Sequence, residues 1–309
     1  MIIEMEDVTK VYNSKKRRIV ANDCVNLQVD RGEIFGLFGH NGAGKTTIVN
    51  QLLGTLKPTS GNIEIAGENI IKTPHRGRYL CSLQPQSQIP LGELTPRKVV
   101  KIMGKMRGCS DKAADKQIDK LFEQLDIMPW ADVEGNKLSG GILRLTGFCM
   151  AAIQPGKVII LDEPTNDVDP VRRRYLWDAI RDLTNTGAAV VLVTHNIRES
   201  ESAVDNVAIM NRGKVLIQGS KNEVKHSIGN ILKLEAYVKA KDQTIVKPEW
   251  CKSLRYDEDK LVLSINKSNA QYAIEWVNDY CNKGILEDYT LSQTSLEDVY
   301  VDLIKEEEK

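Results

Sequence analysis

The run Gly39, His40, Asn41, Gly42, Ala43, Gly44, Lys45, Thr46 constrains this chain more than any other feature. Its spacing is that of a phosphate-binding loop. It follows directly on the continuously apolar Ile34, Phe35, Gly36, Leu37 and Phe38 and precedes the helix-like spacing of Ile48, Val49, Leu52 and Leu53. An unbroken apolar run of that length reads as a central strand covered on both faces. Strand, glycine-rich turn and helix in this order let backbone N–H groups converge on phosphate oxygens where the helix dipole adds positive potential. Lys45 can then reach the terminal phosphates and the Thr46 hydroxyl can ligate Mg²⁺. The ligand that fits every part is a nucleoside triphosphate.

Two later runs, Val158, Ile159, Ile160, Leu161 and the stretch from Ala188 to Val193, read as further buried strands. Helical segments lie between the runs, so the core is expected to be a largely parallel α/β sheet. The first of these strands ends in Asp162 and Glu163, at the edge where open α/β sheets hold their ligands. Asp162 suits the Mg²⁺ shell, and Glu163 can orient or deprotonate an attacking water. His195 follows the second run and reaches the same edge, where it can hydrogen-bond a γ-phosphate and hold the water in line. An Asp-Glu pair alone is most simply a solvated turn, and a lone histidine a packed or surface residue. Their shared position with the phosphate loop outweighs both readings.

Around this core the pattern changes twice. From the start to about residue 66 it is short and strand-like, as in the alternation of Cys24, Val25, Asn26, Leu27, Gln28 and Val29, and an antiparallel β subdomain is expected there. Between about residues 87 and 155 helical spacing takes over, with Ile118, Leu121, Phe122 and Leu125 at i, i+3, i+4 and i+7, which predicts an inserted helical subdomain. Beyond residue 222 a small α+β appendage follows, serving regulation or dimerisation, and its last helix opens on a capping box of Thr294 with Glu297. The expected domains are therefore 1–222 and 223–309, which 309 residues can accommodate with a core in each.

Lysine plus arginine balance aspartate plus glutamate at 42 each, so no net field steers the chain toward nucleic acid. No apolar run approaches the ~18 residues that spanning a bilayer takes. The acidic start at Glu4, Glu6 and Asp7 is unlike a signal peptide, so secretion is not expected. Cys24, Cys81, Cys109, Cys149, Cys251 and Cys281 lack the spacing of a metal or redox site and are expected to be reduced. The basic run Lys15, Lys16, Arg17, Arg18 and the acidic end Glu306, Glu307, Glu308, Lys309 read as solvated segments.

Leu138, Ser139, Gly140 and Gly141 precede an apolar helical run from Ile142 that ends at Pro155 and Gly156, so Ser139 is placed as a helix N-cap with bare, approachable N–H groups behind it. This is a second anion-binding helix start in a chain that already has one. The combination resembles the nucleotide-binding domain of ABC transporters, and within them the single-domain subunits of drug, peptide or polysaccharide exporters. The likeness covers about residues 1–222. Leu296, Glu297, Asp298, Val299 and Tyr300 are also similar to a carboxy-terminal motif of those subunits.

The resemblance implies a P-loop NTPase fold and ATP bound with Mg²⁺ by Gly39, Asn41, Gly42, Ala43, Gly44, Lys45, Thr46 and Thr47, with Tyr12 stacked on the adenine. Lys45, Glu163 and His195 would act in hydrolysis, and Thr46, Gln86 and Asp162 would serve the metal, with Gln84 the competing choice for the loop glutamine that also touches the permease. Ser139, Gly140, Gly141 and Asp169 would complete a site held by a second ATP-binding subunit, identical or different. The implied partner is a separate membrane permease, and the implied place the cytoplasmic face of the membrane. Ile142, Leu145 and Asp167 depart from the family pattern, the last by adding a carboxylate where a small residue is usual. A soluble ATPase acting on DNA or ribosomes and a regulatory protein that binds nucleotide without turnover are the other readings.

Overall fold

The computed structural model describes residues 1–13, 17–227, 229–239, 245–257 and 259–307. Lys15 and Lys16 of the basic run, and Glu308 and Lys309 of the acidic end, lie outside them. The chain forms two compact units, Met1–Ser220 and Lys221–Lys309.

The larger unit is built on a six-stranded sheet in the spatial order Lys214–Ser220, Asn206–Asn211, Ile34–Phe38, Ala189–Thr194, Val158–Asp162, Cys81–Gln84. Every adjacent pair is parallel except the first, a hairpin. The three apolar runs lie in three of the four inner strands, and every residue in those three strands is buried. Such strands cannot alternate, because both faces are covered.

On one face lies a four-stranded antiparallel sheet in the order Arg18–Val29, Ile3–Asn13, Ser60–Ile65, Glu68–Asn69. Its inward residues Ile3, Met5, Val25, Leu27 and Ile63 share one core with Phe35, Leu37, Ile160 and Val191, and with Ile48 and Leu52 of the helix Lys45–Leu52. That helix is thus clamped between two layers, which fixes the loop in front of it. Between the adjacent strands Cys81–Gln84 and Val158–Asp162 the chain makes the helices Pro96–Met106, Asp111–Gln124 and Gly140–Ala152, capped by Thr95, Ser110 and Ser139. Ile118, Phe122 and Leu125 are fully buried among them.

The smaller unit is an antiparallel sheet in the order Cys251–Asp257, Lys260–Asn266, Ile231–Val238, Leu286–Gln293. The helix Ala270–Asn282 buries Ala273 and Val277 against Leu234, Leu263 and Leu286. The last helix, Leu296–Glu307, begins one residue later than its capping pattern suggested. Ser295 and Asp298 form the reciprocal cap: the Asp298 N–H donates to Ser295 Oγ at 3.2 Å, and the Ser295 N–H to Asp298 Oδ2 at 3.0 Å. Thr294 instead donates its hydroxyl to the Ile231 carbonyl at 2.8 Å, so the tertiary partner took the residue that local spacing had assigned to the cap.

All six cysteines are free, with Cys81, Cys149 and Cys251 buried and Cys24 exposed. Among the described residues no helix is long and apolar enough to cross a membrane.

Candidate active site

The glycine-rich loop closes on Gly44, whose φ of 106° lies in the left-handed region. A Cβ there would lie 2.4 Å from the Ala21 carbonyl oxygen and 2.8 Å from Asn22 Nδ2. Asn22 is buried on the neighbouring strand and donates to the Gly44 carbonyl at 3.3 Å, so the loop is anchored from below. Gly44→Ala combines a disfavoured backbone with a collision against main chain. It is expected to lower unfolding stability by roughly 2–4 kcal/mol in denaturant titration and to abolish nucleotide binding.

The Lys45 side chain folds back over the loop, its Nζ donating to the Gly39 carbonyl at 2.5 Å and the His40 carbonyl at 3.1 Å. Burial lowers the pKa of its ammonium, while the charges of Glu163 and Asp162 oppose that shift. Asn41, Gly42 and Thr46 are exposed at the loop mouth, Thr47 is half-buried, and Gly39 and Ala43 are buried beneath it.

The central strands end together: Phe38 is in register with Thr194, and Asp162 with Val193. Burial pushes the Asp162 carboxyl up to about 6, the Glu163 carboxylate adds to the shift, and Lys45 and Arg144 oppose it. Glu163 turns the chain out of the strand at φ 51°, a conformation that a non-glycine residue holds only under constraint. Its carboxylate accepts from the Thr194 hydroxyl at 2.8 Å and the His195 N–H at 2.9 Å, and lies 2.5 Å from His195 Nδ1.

Glu163 is 3% exposed, whereas the His195 side chain is 54% exposed. A carboxylate accepts, so the Nδ1 that faces it is the ring nitrogen that donates, and Nε2 is the ring atom turned away from Glu163. Among the described residues no group of three or more His, Cys, Asp or Glu could hold a metal unaided. Asp162 and the Thr46 hydroxyl are hard oxygen donors of the kind that hold Mg²⁺ together with phosphate oxygens and water.

Ser139 caps the helix Gly140–Ala152, its Oγ accepting from the Ile142 N–H at 3.4 Å. Gly141 lies so close to residue 167 that a Cβ would be 2.6 Å from the Asp167 carbonyl oxygen. A cleft here is lined by Trp130, Ser139, Gly140, Gly141, Asp167 and Asp169, among others. Asp169 caps the helix Pro170–Thr184 by accepting from the N–H groups of Val171 and Arg172, and the Arg172 amide and guanidinium hold its carboxyl below the usual range. Gln84 is buried in its strand and donates to the Arg144 carbonyl at 3.0 Å, while Gln86 is exposed in the loop beyond. Tyr12 is 42% exposed, with Lys10 Nζ 5.3 Å from its ring, and is not a core residue.

The two departures in the helix have a packing reason, for Ile142 and Leu145 are 5% and 0% exposed and face the interior. Pattern reading missed Asn22, which holds Gly44, the role of Thr194 as an anchor of Glu163, and both Arg144 and Gln88. Only Arg144 left a sequence signal, as a lone charge inside the apolar run that begins at Ile142.

A family profile described as ABC transporter matches residues 23–166. The chain is similar to the human protein "ATP-binding cassette sub-family A member 2", with 32% identity over 317 aligned positions, and it spans 99% of this chain but only 13% of that protein. It is 31% identical to "Daunorubicin resistance ATP-binding protein DrrA3" of Streptomyces coeruleorubidus, covering 74% of this chain and 71% of that one. A dimeric structure of a post-hydrolysis state of an ATP-binding cassette bound to ADP and Pi superposes with a TM-score of 0.64 at 23% identity, over 71% of this chain and 98% of that one, a likeness of fold.

Proposed function

Because this chain belongs to the ABC transporter family and carries its nucleotide-binding domain, we propose that it is the Mg²⁺-dependent ATPase subunit of an exporter, seated at the cytoplasmic face of the membrane on a separately encoded permease. The observation that carries this reading is the convergence at one sheet edge of the Lys45 ammonium, the buried Asp162 and the Glu163–His195 pair. Likeness to a bacterial ATP-binding protein of which the chain covers 71% supports a stand-alone subunit.

In this reading the N–H groups behind Gly39, Asn41, Gly42, Ala43 and Gly44, with Thr47, hold the phosphates of ATP, and Tyr12 offers its exposed ring to the adenine. Lys45 exchanges its bonds to the Gly39 and His40 carbonyls for the terminal phosphates. Bound at Thr46, Asp162 and the loop glutamine Gln86, Mg²⁺ would neutralise charge on the phosphates. Glu163 takes the proton of the attacking water, and His195, steered by Glu163 through Nδ1, presents Nε2 to the reacting side.

The capped start of the helix Gly140–Ala152 has N–H groups and no acidic residue in its first turn. It suits a phosphate held by a second copy or a similar subunit, so that Ser139, Gly140 and Gly141 close one site from across a two-fold axis with Asp169 at the seam. In the same reading Gln86, exposed beside this helix, would meet the permease. The smaller unit, with its own core, is assigned to regulation or dimerisation.

Phosphate release from ATP by the purified chain tests the reading. Specific activity should rise with protein concentration, since each site needs a neighbour, and should vanish when Mg²⁺ is chelated. From native membranes the chain should co-purify with a protein of several apolar spans. A chain that binds no ATP, or that sediments with ribosomes rather than membranes, would overturn it.

A further inference from the structure

Arg144 is 5% exposed, and among the described residues no carboxylate lies within ion-pairing distance of it. Its guanidinium is used on main chain instead: Nη1 donates to the Pro85 carbonyl at 3.1 Å and the Gln86 carbonyl at 2.7 Å, while Nε has no partner. The strand end returns the bond, since Gln84 Nε2 donates to the Arg144 carbonyl at 3.0 Å. One helical turn earlier a second tie exists. Gln88 Nε2 donates to the Gly140 carbonyl and to Asp167 Oδ2, each at 3.1 Å. Residues 84–88 are therefore stitched along the first two turns of the Gly140–Ala152 helix, and the second stitch also takes in residue 167.

A buried cation whose hydrogen bonds all go to carbonyls, and whose charge acts on Asp162 only through space as the smallest influence there, does not stabilise the fold as an apolar side chain of the same shape would. Asp167 is the second anomaly, standing at φ 65° where glycine would be unstrained. Neither residue is explained by stability. Both become intelligible if the bonds they make have a use.

We propose that Arg144 and Gln88 are positioning residues that make the loop 85–88 and the start of the Gly140–Ala152 helix move as one body, with Asp167 as its fixed stop. A displacement of the loop at Gln86 would then be delivered to Ser139, Gly140 and Gly141, which close on the neighbour's triphosphate. The inference rests on the function proposed above and deepens it, by naming the side chains that connect the permease-facing loop to the composite site. It also accounts for the carboxylate at 167: glycine there could not accept the Gln88 bond.

The test is a set of full-length variants assayed for ATP hydrolysis, for ATP affinity at protein concentrations too low for pairing, and for melting temperature. Gln88→Ala, Asp167→Gly and Arg144→Met should each lower kcat about tenfold, as expected when a hydrogen bond that positions reacting groups is lost. Monomer ATP affinity should stay within about twofold and the melting temperature should not fall. Gln88→Ala combined with Asp167→Gly should be no worse than Gln88→Ala alone, because that substitution already removes the bond to Asp167.

Asp167→Asn keeps an acceptor and tolerates positive φ, so it should retain near-parental kcat, while Asp167→Gly should melt at least as high yet turn over more slowly. If the two substitutions at 167 have equal kcat, or the effects at 88 and 167 multiply, or Arg144→Met loses stability in step with activity, the positioning role is wrong. If the parent itself hydrolyses no ATP, the functional reading fails along with it. An active parent with unaffected variants removes the positioning role alone.

Discussion

Glu163→Gln will fold, bind ATP and hydrolyse it at least about a hundredfold more slowly, the loss typical of removing a general base. The geometry predicts a well-formed variant. The glutamine oxygen can accept from the His195 N–H and ring, as Oε1 does now, and its amide can donate to Thr194 Oγ1, which already accepts from the Asn196 N–H at 2.9 Å. What is lost is the acceptor for a proton. With ATP and Mg²⁺ present, paired subunits should therefore accumulate, visible as a shift to twice the mass in size-exclusion chromatography. Parental turnover in this variant would show that Glu163 is a structural anchor of His195 and nothing more.

Asp162→Asn is expected to move stability and activity in opposite directions. A carboxyl displaced by burial from an ordinary value of 3.8 to about 6 is unfavourably ionised at neutral pH. In the nucleotide-free protein this costs on the order of 2–3 kcal/mol, an upper figure because Lys45 and Arg144 stand nearby. The neutral amide removes that cost, so the variant should melt several degrees above the parent at pH 7.5.

The sign of the pH dependence follows from the same displacement. The folded parent takes up this proton before the unfolded chain does, so without nucleotide Asp162 makes it more stable as pH falls through about 6 toward 4, and Asp162→Asn should lose that component of the slope. Hydrolysis should fall to background in the variant, because an amide is a poor Mg²⁺ ligand. Differential scanning calorimetry across pH, paired with phosphate release, checks both halves. A variant that melts below the parent would refute the burial argument.

Much of the fold was legible because its strongest signals are local. Residues 34–38, 158–161 and 189–193 are apolar throughout because helices and a second sheet cover both faces, and that composition survives in the one-dimensional string. The Ser139 cap is likewise read from neighbours three residues apart. The cap of the last helix was misread by one residue, since Thr294 and Ser295 are equally good capping residues. The choice was made by the Ile231 carbonyl, 63 positions away.

The amino-acid string by itself determined that a strand must run into a phosphate-holding turn, that two carboxylates and a histidine follow further core strands, and that a capped glycine helix start lies between them. Each depends on residues adjacent in the chain. Only the tertiary structure decided that Glu163 grips His195, that Asn22 anchors Gly44, and that Arg144 and Gln88 bind residues 84–88 to the helix at Gly140. Those bonds join residues 22 to 60 positions apart. Their formation depends on strand order and on which polar atoms burial leaves in need of a partner, quantities that exist only once the sheet has assembled.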